Sequence, residues 1–270
     1  VTVIPLTPVD LGLAALGVVA VAAASLRLRL GVERPLLVAA ARSAGQLLLV
    51  GLVLRALFAA ATLGWVAAMA LLMLAAAARE VRARQTRRLA GGWGFGVGAA
   101  AMFVSSFSVA VLALLVMVGA RPWWEPQYAI PLLGMLLGNT MTGVALGMER
   151  VTQSAVEQRA VVEERLLLGA TRGDAIADAR RASIRAGLIP IVNSMAAAGL
   201  VSLPGMMTGQ ILAGSSPLEA VKYQILILFL IAAGTGGGTI LAVTVTARRL
   251  FDERHRLRLD RLVARGAGSQ

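Results

Sequence analysis

The residues best able to do chemistry in this chain fall into two groups. The first is polar and sits where the surrounding sequence is hydrocarbon. Asn139, Thr140 and Thr142 lie within GMLLGNTMTGVALGMER, and Arg42, Ser43 and Gln46 interrupt an earlier apolar run. Such groups are costly in lipid unless they face a bundle interior or a cavity, where they can line a path for a polar solute. Arg42 and Gln46 are four residues apart and share one helix face. Arg42 also lies close enough to the end of its run to snorkel or to join a structural ion pair. The second group is charged: Glu163-Glu164-Arg165-Leu-Leu-Leu-Gly169-Ala170-Thr171-Arg172-Gly173-Asp174. Gly169 reads as a helix stop, and Thr171 with Asp174 has the spacing of a capping box for a new helix. The stretch therefore predicts helix, sharp turn, helix, with Arg159 and Glu163 paired at i, i+4.

Other chemistries are excluded by what is missing. There is no cysteine, so disulfides, Cys-ligated zinc and iron–sulfur clusters are ruled out. The single histidine, His255, lies in a charged tail, which argues against histidine catalysis within the membrane. A P-loop needs G-x-x-x-x-G-K-[ST], and the single lysine, Lys222, is preceded by Ala220-Val221 and followed by Tyr223, so this chain cannot be an ATPase. Methionines 135, 141, 148, 206 and 207 could offer thioethers to a soft metal. Without Cys or His beside them, apolar filling is the favoured reading.

The elements that must position these residues are set by composition. Of 270 residues, 58% are hydrophobic and 15% charged, and the mean hydropathy is +0.78. Soluble domains hold about 45–50% apolar and about 25% charged residues. The excess is spread along most of the chain, so this is an all-α, polytopic membrane protein. A membrane helix needs about 20 largely apolar residues. Candidate spans are 9–26, 36–58, 61–78, 97–118, 130–148, 188–214 and 223–247, about seven, with the second and third expected as a tight antiparallel pair. Pro204-Gly205 within the sixth predicts a kink or break. The run Ala233–Thr239 in the seventh is too glycine-rich for a stiff helix throughout. Glycines at four-residue spacing, such as Gly143 and Gly147, predict close helix packing.

The net charge of +12 could suggest nucleic acid, but the arginines fall in short clusters between apolar runs rather than on one face of a soluble domain. Segments 27–35, 79–95, 149–187 and the tail from Arg248 hold 22 of the 26 basic residues. The positive-inside rule then places the N-terminus outside and the C-terminus in the cytoplasm of a multi-pass inner (plasma) membrane protein. No cleavable signal peptide is expected, since residues 1–8 lack a basic n-region. Trp123, Trp124 and Tyr128 in the outer loop suit a headgroup-level aromatic belt. We read 1–270 as a single transmembrane permease domain, with 149–187 as cytoplasmic coupling helices and 248–270 as a basic cytoplasmic tail. By physics alone, 149–187 is either a docking hairpin or an amphipathic pair lying on anionic lipid.

Glu163 followed by Gly169-Ala170-Thr171 resembles the EAA signature of ATP-binding-cassette (ABC) permeases, although Pro190 comes later than the proline of the importer pattern. More widely, ARSAGQLLLVGLVL (41–54), GNTMTGVALGMER (138–150), SLPGMMTGQILAGSSPLEAVKYQI (202–225) and the EERLLLGAT turn resemble the FetB/YbbM family of iron-export permeases, which is related to a plant aluminium-tolerance permease. The resemblance implies the membrane half of an ABC transporter. It would act as a permease homodimer with two ATPase subunits that carry ATP and Mg, with no cofactor on this chain and an unknown metal site. The ATP-independent alternative, a secondary transporter or channel, would need carboxylates at depth, and the spans hold none clearly placed there. On this reading Arg42, Gln46, Asn139, Thr140, Pro204 and Gly205 belong to the translocation pathway. Glu163, Glu164, Gly169, Ala170, Thr171 and Arg172 belong to the ATPase contact.

Overall fold

The computed structural model describes residues 7–60, 62–119 and 121–264. Helix α1 (Pro8–Leu28) starts at Thr7, which exchanges hydrogen bonds with Asp10 in a capping box. It is followed by α2 (Glu33–Ala60) and α3 (Leu63–Arg84). The next span, Trp93–Val118, is built from α4 (Trp93–Met102) and α5 (Ser108–Leu112), with π-helical turns at Phe103–Phe107 and Ala113–Val118. Then come α6 (Pro126–Glu157), α7 (Arg159–Leu167), α8 (Arg172–Ala175), α9 (Ala177–Ala197), α10 (Gly205–Leu212) and α11 (Pro217–Arg249).

The centre is α6, against which α3, α9 and α11 pack. Small residues allow this. A Cβ on Gly187 would sit 2.5 Å from the Gly143 carbonyl oxygen, and one on Gly147 would sit 2.6 Å from Val243 Cγ2. Helices in lipid associate by such close approach, since hydrocarbon offers no hydrophobic drive between them. Gly138, Gly205 and Gly209 have open space around them and do not serve this purpose. The same contacts fix direction. Gly143 meets Gly187 and Gly147 approaches Ser183, so α9 runs antiparallel to α6; Gly143 meets Thr235 while Gly147 meets Val243, so α11 runs parallel to it.

Among the described residues, six helices are long and apolar enough to cross a membrane. The predicted sixth span, 188–214, takes another form. Its first part is the apolar end of α9, whose charged start carries Asp178, Arg180, Arg181 and Arg185; an irregular turn and the short α10 complete it. Because α6 and α11 are parallel, this broken element must return the chain from one end of the bundle to the other.

Two expectations are corrected. Helices α2 and α3 are joined by a short link but are not a tight pair: α3 packs on α6 and α4, and the Glu33–Arg55 stretch of α2 buries none of its residues. The run Ala233–Thr239 is helical throughout, within an unbroken α11. Glycine is tolerated there because no water competes for the helix's own hydrogen bonds.

A second apolar core lies at the arginine-rich end, where Val151, Ala155, Val162, Ile176, Leu250 and Phe251 pack together. The chain after α11 folds back onto it. Strand β1 (Arg87–Leu89) pairs antiparallel with β2 (Leu262–Ala264), setting Arg87 opposite Ala264. Glu149 holds both the backbone N–H and the hydroxyl of Thr86. Three of the four basic segments are thereby tied together at one end.

Candidate functional site

Asn139 and Thr140 are neighbours that point different ways. Thr140 is buried and accepts a hydrogen bond from Ser106 Oγ at 3.1 Å. Asn139 is exposed, and its Nδ2 donates to the Met135 carbonyl one turn back at 2.8 Å. Thr142 donates to the Gly138 carbonyl at 3.1 Å. On α9, Asn193 and Ser194 are also exposed. Measured from the Gly143–Gly187 crossing, Asn139 and Asn193 lie about 6 and 9 Å along the bundle in the same direction, at 1.5 Å per residue. They form a polar band at one depth, on faces the bundle does not cover.

Behind that face, the π turn at Phe103–Phe107 sets Ser105 against α11 and Ser106 against Thr140 of α6. A Cβ on Gly238 would lie 2.5 Å from Thr140 Cγ2 and 2.7 Å from Ser105 Oγ. Thr235 and Thr239 are buried here, and their hydroxyls have no partner among the described residues. A buried polar group left unpaired costs about 1–3 kcal/mol. Sequence reasoning missed this hydroxyl cluster, although Thr235 and Thr239 recur at i, i+4 and two serines interrupt an apolar span. The π turn that aims those serines has no signature in residue type.

Arg42 lies 3.5 Å from Glu80 of α3, the ion pair that its position allowed. Gln46 is exposed one turn further along α2, and among the described residues no hydrogen bond links it to Asn139 or Thr140. Pro204 precedes α10 and Gly205 begins it, so the break forms where predicted but opens earlier. α9 ends at Ala197, and the chain turns through Gly199 at φ +86°, a left-handed conformation that suits glycine. Leu200 and Val201 at the tip are 94% and 85% exposed. Met135 and Met206 line a cavity of about 80 Å³ with apolar neighbours such as Leu132 and Leu226, which fits the filling role.

The turn after α7 is as predicted in outline. Gly169 has φ +91°, and Thr171 caps α8 by accepting from the Asp174 N–H at 3.3 Å. The Asp174 carboxylate takes the Thr171 hydroxyl at 2.6 Å rather than its backbone N–H, so the capping box is half made. Arg159 and Glu163 pair at 2.8 Å, and Glu164 is exposed. Leu166 packs on the second core, whereas Leu167 and Leu168 are 88% and 82% exposed. Two ties were not foreseen. Arg165 bridges the turn to Asp178 at 2.8 Å, and the Arg172 N–H donates to Nδ1 of His255 at 3.3 Å. Ala170 closes the turn by donating its N–H to the Arg165 carbonyl. Leu167 and Leu168 thus stand out from a turn braced on both sides.

The chain resembles named proteins along much of its length. It is 52% identical over 143 residues to the UPF0014 membrane protein slr1647 of Synechocystis, which is 53% of this chain and 55% of that protein. It is 35% identical over 263 residues to the "Probable iron export permease protein FetB" of Escherichia coli, covering 95% of this chain and 97% of that one. Rice UPF0014 membrane protein STAR2 is 36% identical over 232 residues, with 85% and 79% of the two chains covered. No solved structure matches. The family profile described as "Uncharacterised protein family (UPF0014)" matches residues 8–251, and this multi-pass helical membrane protein belongs to that family.

Proposed function

We propose that this chain is the permease subunit of an ABC transporter that exports iron or another metal cation. Two copies work with two ATPase subunits, which bind ATP and Mg; this chain carries no cofactor and is not itself an enzyme. It acts as one permease domain in the inner (plasma) membrane, with its N-terminus outside and the arginine-rich end in the cytoplasm. The observation that carries the reading is α9. One helix of 21 residues, about 31 Å long, starts beside the braced turn and ends past Asn193 at the polar band. A force applied at Leu167–Arg172 is therefore delivered to mid-membrane by a single rod sliding on the Gly143–Gly187 contact. Glu163, Glu164, Gly169, Ala170 and Thr171 shape the surface that an ATPase would grip.

The name of the Escherichia coli relative supports the cargo. Among the described residues no three His, Cys, Asp or Glu side chains converge as a metal-holding group. Amide and hydroxyl oxygens of Asn139, Thr142 and Asn193 would therefore meet the cation in transit. Arg42 and Gln46 line the approach along α2, and the turn ending at Pro204-Gly205 forms part of the gate. An ATP-independent carrier would want a coupling carboxylate at this depth. Glu80, near the arginine-rich end of α3, is already paired with Arg42.

The test is co-purification with the ATPase and ATP hydrolysis by the complex. Glu163→Arg reverses charge on the gripped surface, and Gly169→Val forces a β-branched residue to φ +91°. Each should lower ATPase recovery or uncouple hydrolysis from cargo while leaving the spans inserted. Wild-type binding and stimulation by both variants would remove the turn as the coupling element.

A further inference from the structure

At the arginine-rich end, two adjoining hollows of opposite character share one wall. The first is an apolar groove of about 610 Å³ between one face of the 92–104 stretch, where Gly92 precedes α4, Gly96 and Ala100 lie on it and Val104 falls in the π turn after it, and the side of α11 that presents Leu241 and Val245. From Gly92 to Val104 it runs about 18 Å at 1.5 Å per residue, and one bilayer leaflet has about 15 Å of hydrocarbon. The second hollow, about 330 Å³, opens where the groove ends at Val245 and holds Arg172, Arg248, Arg249 and Arg261. Arg249 lies 3.9 Å over the Trp93 ring at the mouth of the groove, and Arg261 Nη1 donates to the carbonyls of Arg249 and Phe251. Arg172 and Arg248 have no ion-pair partner among the described residues. The acids on the same wall are Asp252, already bonded to Arg256 at 2.8 Å, and the exposed Glu253.

We propose that this pair of hollows is a binding site for one anionic phospholipid, with an acyl chain along the α4–α11 groove and the phosphate between Arg172 and Arg248. The join is the argument. A free anion would have no use for an 18 Å hydrocarbon slot, and a zwitterionic lipid would leave the two guanidiniums poorly matched. The site rests on the membrane location and not on the proposed transport activity, although Arg172 also belongs to the turn assigned above to the ATPase contact.

Native mass spectrometry of the detergent-purified full chain tests it. The probes are phosphatidylglycerol, phosphatidylcholine with the same acyl chains, and inorganic phosphate. One phosphatidylglycerol should be retained about tenfold more tightly than phosphatidylcholine. Arg172→Gln with Arg248→Gln should erase that preference. Gly96→Phe fills the groove, and a Cβ at Gly96 meets nothing within 4 Å, so the helix should tolerate it. That variant should lose phosphatidylglycerol without a gain or loss in phosphate binding; Ala100→Phe on the same face serves as a second blocker. Equal retention of the two lipids would overturn the proposal, as would inorganic phosphate being held as tightly as phosphatidylglycerol. Unchanged lipid in both blockers, or a blocker that turns a dimer into a monomer, would assign the groove to a second copy of the chain instead.

Discussion

Gly187 and Gly138 would respond oppositely to the same added methyl group. At Gly187 it would strike a backbone oxygen on α6 and the short, β-branched Thr239 side chain on α11, neither of which is a flexible tip that could move aside. Gly187→Ala should therefore lower thermal stability in detergent, by about 1–3 kcal/mol of overpacking strain. Gly138→Ala, with open space around it, should leave the melting temperature unchanged. Among the described residues, the Asn139 side chain makes its one hydrogen bond within its own helix, so Asn139→Leu should assemble normally yet abolish cargo-dependent transport in vesicles. Normal transport by that variant would reduce the amide to helix decoration. At this scale the glycine spacing was informative and the polar spacing less so. Consecutive helix residues point about 100° apart. Which of Asn139 and Thr140 turns inward is decided by where α11 and the π turn pack, and that is not written in the GNTMTG stretch itself.

Among the elements, those with local stop signals were the most legible. Gly169 and Thr171 carry their turn in their own conformational preferences, and the structure reproduces it. A kink or break is predicted at Pro204-Gly205, but α9 already ends at Ala197, because Gly199 offers an earlier left-handed turn. The ties that brace the segment join residues 13 and 83 positions apart, beyond the reach of any periodicity. Asp252 organises the returning tail. The backbone N–H of Arg256, with its guanidinium, holds the Asp252 carboxyl below the usual carboxylate range. A depressed value contributes stability above the unfolded-chain value and loses it as pH falls through the folded one. The Asp252 contribution to tail docking should therefore stay constant between about pH 8 and 5, well above an ordinary aspartate near 3.9. The excess amide exchange of Asp252→Asn over the wild type in 250–258, corrected for intrinsic rate, should be the same across that window. An excess that changes between pH 8 and 5 would show that this contribution is not set by the Asp252 carboxylate.

For the whole molecule, orientation is the property that every functional reading depends on. The chain has no cysteine, so single introduced thiols report cleanly. Arg87→Cys sits at the basic end and Leu218→Cys at the opposite end, and both positions are exposed. In intact cells an impermeant maleimide should label position 218 and should reach position 87 only after permeabilisation; the reverse pattern would invert the protein. Arginine clustering is what predicts this arrangement, because charge decides which loops stay behind during insertion. The packing of those loops on one another was not readable, since it joins the chain's last stretch to its middle. That closure also has a consequence in time. His255, which accepts the Arg172 N–H, is made 83 residues later. At about 5–20 residues per second of synthesis, the turn waits roughly 4–17 s for its brace. During that interval Leu167 and Leu168 stand on an unfinished hinge, so under the proposed function a nascent chain would offer an ATPase a poorer grip than one whose His255 is in place. On that proposal, the arrival of the tail would be registered at the very surface on which assembly begins.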